Sequence, residues 1–91
     1  MRGIVVARKV TKNLIFILVE DDCTLTFFDT TYCENFKPGD LIRGELHALG
    51  YEMLYNETQQ FEFDGTTQQI FVPPKPVYLP YYEFLKTLPV E

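Results

Sequence analysis

Few residues in this chain are equipped for chemistry. Of its 91 residues one is histidine, two are cysteine, none is tryptophan, and the five glycines are scattered singly. Single glycines exclude the glycine-rich loops that cradle phosphates or dinucleotides. Cys23 and Cys33 are too few for the disulfide framework of a small secreted domain. With His47 they do not complete a four-ligand zinc set. They read as reduced thiols, although their spacing also allows a bridge across a hairpin. Long apolar runs are missing too: Leu14 to Val19 falls far short of the ~20 residues that a membrane-spanning helix needs. Ile4 to Ala7, interrupted by Arg8 and Lys9, is too short for the core of a signal peptide. No membrane partner is expected, and the expected location is cytoplasmic. Asn56-Glu57-Thr58 matches a glycosylation sequon, which a cytoplasmic chain never presents to the enzyme that reads it.

Basic residues are also in short supply: eight Lys and Arg stand against thirteen Asp and Glu, for a net charge of −5. That balance argues against a protein that coats phosphate backbones without selectivity. The charge is uneven along the chain. Residues 1–12 hold Arg2, Arg8, Lys9 and Lys12 and no acid. Residues 13–34 hold Glu20, Asp21, Asp22, Asp29 and Glu34 and no base. Residues 51–72 hold Glu52, Glu57, Glu62 and Asp64 and no base.

What the chain does have is apolar and aromatic surface. It is 46% hydrophobic and 15% aromatic, all of the latter Phe and Tyr, residues that suit pleated, half-buried strands. Its length bounds it to one domain that buries about 60–65% of its unfolded surface. That is enough for one core, but not for a core plus a deep, lidded pocket.

Residues 3–10 are β-branched and end at the turn Thr11-Lys12-Asn13, which predicts a strand. Residues 14–20 are apolar on both faces, which predicts a central strand or one in a closed barrel with its outer face covered. Glu20-Asp21-Asp22 is a polar turn, and residues 23–28 form a third strand. Residues 29–40 are irregular, with Pro38-Gly39 suited to a type II turn. Residues 41–49 are expected as a fourth strand carrying Arg43, Glu45 and His47 on its polar face. Residues 51–55 and 60–63 form a hairpin around 56–59. Asp64-Gly65 is a tight-turn signal, with another strand over 66–72. Pro73-Pro74-Lys75-Pro76 is extended polyproline II. A short helix can follow Pro80, closed by Pro89. The fold class is all-β, a small barrel of five or six strands over residues 1–72. Residues 73–91 form a proline-linked aromatic tail.

The order of these elements, with Pro38-Gly39-Asp40 introducing the fourth strand, resembles an OB-fold over residues 2–72. The helix usual between its third and fourth strands would have to fit in residues 29–37. The resemblance implies a binding groove across the second and third strands, used among relatives for single-stranded nucleic acid, oligosaccharide or protein.

No catalytic constellation emerges. His47 beside Glu45 lacks a nucleophile, and Asp21, Asp22 and Asp29 lack the spacing of a calcium loop. The chain is expected to be a non-catalytic binding module without a cofactor. For single-stranded nucleic acid, Phe16, Phe27 and Phe28 are candidate stacking platforms, and Arg8, Lys9, Lys12 and Arg43 candidate phosphate contacts. Phe27 and Phe28 are adjacent on a strand, so one of them lies outside the core. The alternative is a protein–protein adaptor, subunit or inhibitor. It would use the acidic surface and a tail rich in Tyr78, Tyr81, Tyr82, Phe84 and Leu85, too apolar to leave in water. That tail either folds back on the barrel or inserts into a partner. An exposed edge strand could pair two copies into a homodimer.

Overall fold

A computed structural model describes residues 1–89. Six strands close into an antiparallel barrel: β1 (Arg2–Lys9), β2 (Leu14–Val19), β3 (Leu25–Asp29), β4 (Leu41–Arg43), β5 (Gly50–Asn56) and β6 (Phe61–Val72), in the order β1-β2-β3-β6-β5-β4. A short helix, α1 (Leu79–Thr87), follows the proline segment. This is the small barrel with a C-terminal helix that the sequence predicts, with an element order compatible with an OB-like fold. Closure leaves no edge strand among the described residues, so strand pairing between copies has no template.

The strands β1 and β2 are apolar on both faces, one lining the barrel interior and the other lying under α1. Alternation points Ile15 and Ile17 of β2 into the interior with Val5, Val19, Phe28, Ile42, Leu54 and Phe63. Phe63 meets Phe28 and Phe36 edge-on, at centroid distances of 5.6 and 4.6 Å, and these rings help fill the barrel. The other side of the same strands presents Ile4, Val6, Leu18 and Leu25, onto which α1 sets Leu85, fully buried. A register shift between Val5 and Ala7 lets Val6 and Ala7 both join this outer cluster. Pro80 sits in the first turn of α1, where its missing N–H costs nothing. Arg2 ties this side together: it forms a two-point ion pair with Glu20 and donates through Nη1 to the Pro89 carbonyl at 3.0 Å.

The turn before β4 has the expected form. The Asp40 N–H donates to the Lys37 carbonyl at 3.0 Å, with Pro38 and Gly39 between them and Gly39 at φ 101°. The segment between β3 and β4 holds a single 3₁₀ turn, Cys33–Asn35, where the OB resemblance would place a helix.

Four expectations change. The third strand starts at Leu25, because the Asp22 carboxylate accepts both the backbone N–H and the hydroxyl of Thr24 and holds Cys23 in a left-handed turn. The fourth strand ends at Arg43 and residues 44–49 form a loop over the barrel. That loop is held by Thr26 Oγ1 donating to the Leu46 carbonyl at 2.7 Å, and it drives Leu46 into the core. Asp64-Gly65 is not a turn: β6 runs through it, pairing first with β5 and then with β3. Glycine is needed there for space, since a Cβ would lie 2.1 Å from the Asp29 carbonyl oxygen and 2.6 Å from the Phe28 ring. Finally, Pro76 already opens a 3₁₀ turn (Pro76–Tyr78), so the extended proline segment ends at Lys75.

Two substitutions test this architecture by thermal and urea unfolding. Leu85→Ala should cost about 2–5 kcal/mol, because the helix is part of the core; an unchanged transition would mean α1 is a loose appendage. Gly65→Ala should cost about 1–3 kcal/mol through overpacking at the β3–β6 crossing.

Candidate nucleic-acid interface

On the outer face of β2 and β3, Phe16 and Phe27 stand directly opposite each other in register. Their rings are 4.6 Å apart at a 45° tilt, and both are half-buried. Phe28, one residue on, points inward and is fully buried in the core. It is therefore a packing residue, and Phe27 is the ring of the two that stays partly exposed. Around the Phe16–Phe27 pair the barrel and the tail form a groove of about 310 Å³, lined by Lys9, Phe16, Leu25, Phe27, Val72, Pro73, Lys75 and Tyr78. It is small among ligand pockets, which run about 300–1,000 Å³.

The groove lining is opposite in sign to the chain's net charge. Its lining holds two lysines and no carboxylate, in a chain of net charge −5. Lys9 comes from the end of β1 and Lys75 from the proline segment, so the cations flank the aromatic floor on separate elements. Neither makes an ion pair among the described residues. Lys75 and Tyr78 could not be placed here from sequence, because only the return of the tail across the barrel brings them to β2 and β3.

The other proposed phosphate contacts are placed differently. Arg8 donates through Nη1 to the backbone carbonyls of Glu34 (2.8 Å) and Phe36, holding the 3₁₀ turn against β1. Arg43 pairs with Glu57 at 2.8 Å on the far side of β4. Lys12 is exposed in the turn between β1 and β2 and does not line the groove.

The tail residues divide by face. Leu85 is buried, and Tyr78, Tyr81 and Tyr82 are half-buried against the barrel, whereas Phe84 stays about half exposed. Phe84 borders a second, more apolar notch of about 320 Å³ with Ile4, Gly39, Pro80 and Tyr81.

His47 lies in the 44–49 loop, not on a strand. Its Nε2 is 3.1 Å from the Asp22 carboxylate, its ring packs on Phe71 at 4.6 Å, and its backbone N–H donates to Glu45. Glu45 thus fixes the loop backbone. No three His, Cys, Asp or Glu side chains converge as a metal site among the described residues. Nor is any helix among them long and apolar enough to cross a membrane. Asn56 is buried and donates its side-chain amide to Asp40, so the sequon is closed to modification in the folded chain.

Comparisons with protein-family models, curated proteins and solved structures find no significant match for this chain.

Both cysteines are free thiols. Burial pushes both up in pKa; the Asp22 carboxylate adds to this at Cys23, and Arg8 partly offsets it at Cys33. A raised thiol holds less thiolate at a given pH and reacts more slowly. With a disulfide exchange reagent near neutral pH, both cysteines should react more slowly than a free thiol. Fully buried Cys33 should react only as fast as the chain opens, and Asp22→Asn should speed Cys23.

Proposed function

We propose that this chain is a non-catalytic binding module that holds single-stranded nucleic acid across the outer face of β2 and β3. The observation that carries the reading is the Phe16–Phe27 pair between Lys9 and Lys75, in a groove free of carboxylates. Bases stack on aromatic rings whatever their sequence, and lysines beside them neutralise the phosphates. Placement on the second and third strands of a small barrel is where the OB resemblance puts a ligand. The acidic remainder of the surface favours a short, oriented contact over a general coating of polyanion.

The alternative, a protein partner gripped by the aromatic tail, has less surface to work with. The residues it needs most, Tyr81, Tyr82 and Leu85, are turned onto the barrel, leaving Phe84 with its neighbouring notch and the exposed Val77 and Leu79.

Anisotropy titrations with labelled oligothymidylate and oligouridylate, at low and near-physiological salt, test the proposal. Binding should weaken as salt rises. Lys9→Ala and Lys75→Ala should each flatten the log–log salt slope by about 0.7. Phe27→Ala should cost about 1–3 kcal/mol if one base stacks there. Lys9 is exposed, so Lys9→Glu provides a variant with no claim on the core. No binding at low salt, where the phosphate contribution is largest, would retire the proposal.

A further inference from the structure

The opposite side of the barrel carries a second surface with the reverse chemistry. Along the outer face of β5, Tyr51, Met53 and Tyr55 alternate and are 65%, 51% and 37% exposed. No helix covers them, unlike the outer face of β1 and β2. Across β6 their register partners are Thr66, Asp64 and Glu62. At the Tyr51 end the face drops into a notch of about 310 Å³ lined by Asp29, Thr30, Thr31, Tyr51, Asp64, Gly65 and Thr66. That lining holds two carboxylates, three threonines, a phenol and no base. The Tyr51 hydroxyl lies 3.3 Å from the Asp64 carboxylate, so ring and acid already sit side by side.

From this we infer that the β5–β6 face binds an extended, arginine-bearing protein segment, with one guanidinium seated in the Asp29–Asp64 notch and the chain running over Tyr51, Met53 and Tyr55. Charge chooses the occupant. Two carboxylates and an aromatic face offer the two things a guanidinium uses, paired oxygen acceptors and a ring to stack on. Phosphate polymers are repelled by Asp29, Asp64 and Glu62. A second copy brings its own net charge of −5 and the same acids to the interface. A bare metal ion lacks ligands, since no third carboxylate, histidine or cysteine converges there among the described residues. The thioether of Met53 and the two tyrosines supply apolar contact that adapts to whichever side chains lie between the arginines. This surface is independent of the Phe16–Phe27 groove, and its test does not depend on nucleic-acid binding.

The experiment titrates the full chain into a labelled peptide of alternating arginine and glycine, with a lysine–glycine version of the same length alongside. The arginine peptide should bind more tightly than the lysine peptide, because only guanidinium forms the planar two-point contact. Asp64→Asn and Tyr51→Ser should each weaken it by about five- to tenfold. Asp21→Asn with Asp22→Asn, on the acidic turn after β2, should leave affinity nearly unchanged. Tyr51 and Tyr55 are exposed, so Tyr55→Ser stands in should any Tyr51 variant melt early. Equal loss from the Asp21/Asp22 pair, equal binding of the two peptides, or no loss from the tyrosine variants would each overturn the inference, reducing the effect to diffuse charge. Sedimentation showing a dimer that Met53→Glu dissociates would overturn it as well, since a second copy would then own the face.

Discussion

The barrel depends on one buried carboxylate. Asp40 is 4% exposed, and its Oδ2 accepts the Lys37 backbone N–H at 3.1 Å, the Asn56 side-chain amide at 3.0 Å and the Gln59 side-chain amide at 2.6 Å. A carboxylate removed from water is costly unless donors replace the lost hydration, and here three do. The backbone is engaged as well: the Val5 N–H donates to the Asp40 carbonyl at 2.9 Å, and the N–H of the preceding Gly39 donates to the Val5 carbonyl at 2.8 Å. One residue therefore ties β1, the turn before β4 and the β5–β6 hairpin to a single point. The need is plain from the topology. β4 has three residues, yet it must join β1 on one side to β5 on the other. A ladder that short cannot hold the seam alone, and the Asp40 cluster closes it.

Closing the seam makes the barrel two three-stranded meanders with different exteriors. The first, β1-β2-β3, is apolar outside and needs a cover, which α1 provides over Ile4, Val6, Leu18 and Leu25. The helix is too short to reach the whole face. Where it stops, Phe16 and Phe27 are left half-covered between two lysines, and that remainder is the groove. The second meander is uncovered and acidic, with tyrosines in place of aliphatics. The groove thus follows from how far a nine-residue helix extends, and the uncovered second face from the helix packing on β1 and β2.

Much of this was legible in the sequence because it rests on local patterns. The both-faces-apolar run at 14–19 announces a covered barrel strand, and Pro38-Gly39 announces a type II turn. Phe27-Phe28 announces that one ring faces out, though not which. Alternation fixes parity only relative to neighbours, and one neighbour of β3 is β6, far away in sequence. Gly65 misleads for a related reason. Asp-Gly has the same appearance whether glycine supplies a left-handed turn or empty space, and the carbonyl of Asp29 that demands the space lies far away in sequence. Arg8 looks like a surface cation, and its hold on the Glu34 and Phe36 carbonyls exists only once the 3₁₀ turn has folded against β1. Lys75 and Tyr78 belong to the groove through the path of the tail, which no local pattern encodes.

That path couples two events. The segment from Pro73 to Tyr78 is at once a wall of the groove and the tether that delivers α1 to the barrel. Any molecule resting between Phe16, Phe27 and Tyr78 presses on both the sheet and the tether, and is held fully only while the helix is seated. Occupancy then adds to the free energy that keeps α1 in place, and a firmly seated α1 returns the same amount to affinity, since the linkage is reciprocal. If the groove holds a ligand, as proposed, the helix would act as a latch whose grip is set by what the groove contains.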